Sequence, residues 1–180
     1  MILKYRRCIE KRRSSYQIKK ALAAGKLYRL EKGIYSTEPT VPFLAILTTK
    51  YPAAIITMDT AFYYHGLTDL IPDKYCIASP KSARTLRDTR IQQYFIKKEL
   101  WELGVITMKR NHVTFRIYDK ERMLIELLRF KNKLPYDYYK EILGNYRTQI
   151  PDLDIARIQE YASIFPKHKM ISTLLESEVF

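Results

Sequence analysis

The first clear periodicity along the chain is helical. Ile18, Ala21 and Leu22 fall on one side of a stretch from Tyr16 to Ala24, whereas Gln17, Lys19 and Lys20 point elsewhere. Ser14-Ser15 stands where a cap is needed, and Gly25 stands where the helix must stop. The period then shortens. Leu27-Tyr28-Arg29-Leu30 and Ile34-Tyr35 alternate around Glu31-Lys32-Gly33, which predicts a tight hairpin with its glycine at positive φ. Ahead of these elements, Lys4 to Lys11 supplies a short helix or a basic arm.

Ser36-Thr37-Glu38-Pro39-Thr40-Val41-Pro42 breaks the pattern and reads as a linker between a module of residues 1–37 and a domain of residues 38–180. Beyond it, helices are expected over Phe43–Lys50 and Asp59–His65, the second ended by Gly66. Strands are expected over 53–57, 74–78 (closed by Ser79-Pro80) and 91–97. A hairpin of 105–109 with 113–118 turns at Arg110-Asn111-His112. From Asp119 the texture is helical, over Glu121–Phe130, Asp137–Leu143, Asp152–Ser163 and Lys169–Leu175. An acidic residue near the start of each of the first three suits the positive end of a helix dipole. The fold class expected is α+β, a small basic module followed by an α/β domain with a helical C-terminal part.

Charge sharpens this division. The 180 residues carry a formal net charge of +13. Residues 1–35 hold eleven Lys or Arg against only Glu10 and Glu31, so nine of the thirteen excess charges sit in the first fifth of the chain. Such an excess attracts polyanions. Cys8 and Cys76 are far apart and lack metal-ligand spacing, which points to two reduced thiols in a cytoplasmic protein and away from a disulfide framework or zinc. No apolar run is long enough to span a membrane, and no apolar stretch follows the basic N-terminus as a secretory signal requires.

A helix followed by a two-stranded wing forms the back half of a winged helix-turn-helix. In such a module the recognition helix enters the major groove and its N-terminal residues reach base edges. The expected DNA-binding residues are Arg12, Arg13, Ser15, Tyr16, Gln17, Lys19, Lys20, Arg29 and Lys32. Gln17 can pair bidentately with adenine, and Lys19 and Lys20 can reach guanine or phosphate. Arg12 and Arg13 would lie over the backbone; Arg29 and Lys32 on the wing would meet an adjacent phosphate or the minor groove. The competing reading is a non-catalytic interaction protein whose basic arm binds RNA or an acidic protein.

The stretch Ala24-Gly25-Lys26-Leu27-Tyr28-Arg29-Leu30-Glu31-Lys32-Gly33-Ile34-Tyr35 resembles the helix end and wing of the AbiEi-type antitoxins, the transcriptional regulators of abortive-infection and type IV toxin–antitoxin operons. Two further segments are similar to the same family. One is Ala54-Ile55-Ile56-Thr57-Met58-Asp59-Thr60-Ala61 through Tyr64-His65-Gly66-Leu67-Thr68-Asp69, followed by Pro72. The other is Asp119-Lys120-Glu121-Arg122-Met123-Leu124-Ile125-Glu126-Leu127-Leu128-Arg129. The resemblance implies an N-terminal winged helix that binds an inverted repeat of double-stranded DNA in its own promoter. It also implies an antitoxic C-terminal domain acting against a nucleotidyltransferase-like toxin. Family members usually place about two helices before the recognition helix, whereas some 13 residues precede Ser14 here. Either the winged helix is abbreviated or the chain starts late, and Lys4 to Arg13 forms either a helix or a basic arm. A monomer or weak dimer is expected.

Catalytic chemistry is not expected. His65, His112 and His168 fall in unrelated segments, and His65 is read as a packing or capping residue. Asp59, with Thr57 nearby, is read as a helix-capping residue, and Glu121, Arg122 and Glu126 as ion-pairing and helix-start partners on one helical turn. Asp73-Lys74 and Asp119-Lys120-Glu121 are too loosely placed for a nuclease. The five glycines are scattered, so there is no phosphate loop. No cofactor and no metal are expected. Arg84, Arg87 and Arg90 recur every three residues, either as a solvated face or as a second anionic contact.

Overall fold

The computed structural model describes residues 1–12 and 14–180. The chain is mixed α+β, with a three-stranded antiparallel sheet and a five-stranded mixed sheet. It divides into two compact units, one of Met1–Ala53 with Lys109–Phe115 and one of Ala54–Met108 with Arg116–Phe180.

The first unit runs β1 (Ile2–Lys4), α1 (Tyr5–Arg12), α2 (Ser15–Ala23), β2 (Tyr28–Glu31), β3 (Ile34–Ser36) and α3 (Phe43–Lys50). Its sheet has the order β1-β3-β2, so the last strand lies in the middle. Leu3 pairs with Tyr35 on one side, and Arg29 pairs with Tyr35 on the other. Strand β1 has no counterpart among the expected elements, because three residues carry too little alternation to read. The remaining elements follow the sequence pattern. Ser14 caps α2, its Oγ accepting the Gln17 N–H at 3.2 Å. Gly25 and Gly33 take φ of +64° and +79°, the left-handed region where a Cβ would be strained. Leu3, Cys8, Ile18, Ala21, Leu27 and Tyr35 form one apolar core, with Ile9 and Leu22 packed on it. Ser36, expected in the linker, closes β3 and is buried; its Oγ accepts the Glu38 N–H at 2.9 Å. The unit continues past residue 37 through α3, which packs against β1.

The second unit holds the sheet β6-β5-β4-β8-β7, formed by β4 (Ile55–Ile56), β5 (Tyr75–Pro80), β6 (Ile91–Ile96), β7 (Val105–Arg110) and β8 (Val113–Tyr118), with the hairpin tip grouped with the first unit. Strand β4 is antiparallel to β5 and parallel to β8, and β5 is parallel to β6. Residues 81–90 make the β5–β6 crossover without a helix, so Arg84, Arg87 and Arg90 do not share a helical face. The Gln93 side chain clamps that crossover, accepting the Leu86 N–H at 2.8 Å and donating to the Arg84 carbonyl at 3.2 Å. Arg90 is engaged by Asp88.

Helices α4 (Met58–Tyr64), α5 (Lys98–Trp101), α6 (Lys120–Phe130), α7 (Tyr136–Gln149), α8 (Ile155–Ile164) and α9 (His168–Leu174) complete the unit. Helix α6 is buried along Glu121–Leu128, which explains its nearly unbroken apolar run. Helix α7 extends well beyond the expected Leu143. Its buried stripe, Tyr139, Ile142, Leu143 and Tyr146, carries on across Gly144, whose Cβ position is open space. Helix α8 starts later than expected. Asp154 caps it, accepting the Arg157 N–H at 3.0 Å, while Asp152 lies in the preceding 3-10 turn.

Candidate nucleic-acid interface

Helix α2 owes its orientation to Ile18 and Ala21, which are buried, and Leu22, which packs beside them. Once that face is committed to the core, helical geometry turns Tyr16, Lys19 and Lys20 outward, with Gln17 on the flank. All four are exposed, as is Ser15 at the first turn, and Tyr16 keeps 72% of its surface in solvent. An aromatic ring left so exposed beside two lysines is the kind of side chain that meets a partner. The hairpin of β2 and β3 presents Arg29 and Lys32, both exposed. Arg12 ends α1, and Arg13 lies outside the described residues.

The two carboxylates of this segment do not neutralise these groups. Glu10 pairs with Arg6 at 3.6 Å within α1, and Glu31 pairs with Lys50 of α3 at 2.9 Å. Among the described residues, Lys19, Lys20, Arg29 and Lys32 form no ion pair. Their charge is available to a polyanion. The surface can therefore neutralise phosphates with Lys and Arg while Gln17 and Tyr16 offer polar and stacking contacts to bases.

A second concave feature lies within the second unit. A cavity of about 720 Å³ opens between the start of α4, the loop before β5, and the N-terminal part of α7. Asp59, expected to cap α4, stands instead inside its first turn behind the N-cap Thr57; it lines this cavity, and its carboxylate accepts the Tyr138 hydroxyl at 3.4 Å. Burial pushes the Asp59 carboxyl above its ordinary range, and it pushes the Tyr94 and Tyr138 phenols upward too. Tyr94 and Tyr138 were not singled out by spacing, since each belongs to an element whose apolar pattern explains it without a cavity.

The other candidate residues serve the fold. The His65 ring donates from Nε2 to the Tyr118 carbonyl at 2.7 Å at the end of α4. Glu121 accepts the Asp154 N–H at 3.1 Å, and Arg122 pairs with Glu126. Among the described residues no cluster of His, Cys, Asp and Glu fits a metal ion, and no helix is long and apolar enough to cross a membrane. No family model and no curated protein matches the chain.

Proposed function

We propose that the first unit is a winged helix-turn-helix module that binds double-stranded DNA. The chain as a whole is then a cytoplasmic autorepressor and antitoxin of a type IV, abortive-infection operon, acting by binding and not by catalysis. The observation that carries the DNA-binding half is the arrangement β1-α1-α2-β2-β3 with sheet order β1-β3-β2. A winged helix has this order from its first strand onward: that strand joins the wing at its inner strand, and the helix before the wing is the recognition helix. The uncompensated Lys19, Lys20, Arg29 and Lys32 on that helix and wing supply the matching electrostatics. The antitoxin half rests on the AbiEi-like segments at 24–35, 54–72 and 119–129, which imply a nucleotidyltransferase-like toxin as the partner.

A mobility-shift assay tests the first half. Promoter DNA carrying an inverted repeat is compared with unrelated duplex and with RNA at two salt concentrations. The repeat should bind about a thousandfold or more tighter than unrelated duplex. With about six phosphates neutralised, log K should fall against log salt with a slope near −5. Equal affinity for all three nucleic acids, or unchanged operator binding by a Lys19→Ala/Lys20→Ala variant, overturns the recognition-helix assignment. Rescue of growth on co-expression with a nucleotidyltransferase-like toxin from the adjacent reading frame tests the second half.

A further inference from the structure

The cavity of the second unit has features that the DNA-binding surface does not use. Its volume of about 720 Å³ falls in the range of sites for small organic molecules, which are mostly apolar with a few placed polar groups. Leu70 and Ile71, at 61% and 70% exposure, stand at its mouth with Pro72 and are not drawn into the core. Inside are the phenol rings of Tyr94 and Tyr138 and the half-buried Asp59 carboxylate.

The charge of the lining runs against that of the chain. Asp59, Asp73, Asp137 and Glu141 face the cavity against the single Lys74, although the protein has 32 basic and 19 acidic residues. Among the described residues none of these four carboxylates forms an ion pair with a Lys or Arg. Glu141 accepts the Thr68 hydroxyl at 2.6 Å, and Asp59 has the long Tyr138 contact. Asp59 is held partly out of water with the Tyr138 hydroxyl and a backbone N–H as its hydrogen-bond partners and, among the described residues, no cation beside it, so an organic cation satisfies its charge and can lie against the neighbouring rings.

We propose that this cavity binds an organic cation, an ammonium or guanidinium on an apolar body, with Asp59 as counter-ion and Tyr94 and Tyr138 as flanking aromatic surfaces. Leu70, Ile71 and Pro72 would cover the apolar body. The source of such a group is either a free amine or an arginine side chain of a polypeptide. Burial raises the Asp59 carboxyl, and a bound cation would bring it back down.

Amide-resolved NMR titration of the full chain tests this, with phenethylamine, the neutral 2-phenylethanol, the anionic 3-phenylpropionate and acetyl-arginine amide as probes. Phenethylamine should shift amides around 59, 70–76, 92–94 and 134–141, and bind about tenfold or more tightly than 2-phenylethanol. Asp59→Asn should erase that preference. Glu141→Gln, which keeps an acceptor for Thr68, should weaken the cation without affecting the neutral probe. Stronger binding of acetyl-arginine amide than of phenethylamine would identify a side chain as the occupant, and the reverse a free amine. The proposal is overturned if no cation perturbs the cavity at millimolar concentration, or if the neutral or anionic probe binds as well. It is also overturned if both variants bind phenethylamine like the parent. None of these outcomes bears on the DNA assay, which probes the other unit.

Discussion

Arg122 and Glu126 form an ion pair at 2.7 Å with both side chains withdrawn from solvent, one turn apart on α6. Glu126 also receives Arg129 at 2.6 Å, and the Arg122 guanidinium donates to the Leu100 carbonyl at 3.1 Å. That guanidinium lies 4.2 Å from the Phe165 ring centre and 4.7 Å from that of Tyr118. Its Nε finds no acceptor, so the charge depends on few partners. Glu126→Ala strands a buried cation and should lower unfolding free energy by about 3–5 kcal/mol. An Arg122→Met/Glu126→Leu double variant, which removes both charges, should recover most of that loss. Urea unfolding of the single and double variants measures the difference, and equal losses would remove the ion pair as the cause.

Two glycines of the second unit should respond oppositely to alanine. Gly104 has φ of +72°, and a Cβ there would come within 2.7 Å of the Arg122 Cβ and 3.0 Å of Asp119 Oδ1. Gly104→Ala should therefore cost more than about 1 kcal/mol, through left-handed strain and displacement of the α6 start. Gly144 lies inside α7 with nothing near its Cβ position. Gly144→Ala should stabilise by up to about 1 kcal/mol. Thermal unfolding of both variants side by side makes the comparison.

Acid should weaken the second unit through His65. Burial, with a smaller contribution from Lys120, lowers its pKa from the ordinary value of 6.5, while its bond to the Tyr118 carbonyl opposes this. A depressed folded-state pKa means stability that is present above 6.5 and is lost as pH falls through the lowered value. Unfolding free energy should thus decline on acidification below about 6.5. His65→Gln, which still offers a donor to Tyr118, should flatten that part of the profile. A variant whose slope matches the parent's would assign the acid sensitivity to other groups.

If the first unit binds DNA as proposed, its β2–β3 hairpin should act on affinity more than on sequence choice. Arg29 and Lys32 are exposed on and beside β2, where they suit phosphate contacts. Each alanine substitution should weaken operator and unrelated DNA alike and reduce the salt slope by about 1. Gln17→Ala should instead narrow the difference between operator and unrelated duplex. Titrations of the three variants across a salt series separate the two behaviours.

The strongly periodic elements could be read from sequence because one residue type decided each. Ser14 and Gly25 bound α2, Gly33 turns the β2–β3 hairpin, and the apolar run of α6 marks a buried helix. Strand β1 could not be read, because its three residues form a strand only through pairing with β3. The extent of α7 was hidden by Gly144, a weak helix former that is tolerated because Tyr146 completes the buried stripe. For the interface, composition identified which groups are charged. Arg6 and Glu10 are an i,i+4 pair within α1, whereas the engagement of Glu31 by Lys50 depends on three-dimensional placement. The cavity was less legible still, since Asp59, Tyr94 and Tyr138 lie far apart in sequence and meet only in the folded unit.

The pairing of β1 with β3 also makes the first unit depend on a contact between distant parts of its chain. Helices α1 and α2 and the β2–β3 hairpin draw on neighbours in the chain and can form early. Leu3 must wait for Tyr35, so the sheet closes only when the two ends of this segment meet. The entropy of that loop is spent before the core around Leu3 and Cys8 returns any contact. Pairing of the outer strand therefore closes a longer loop than the α1–α2 or β2–β3 contacts do.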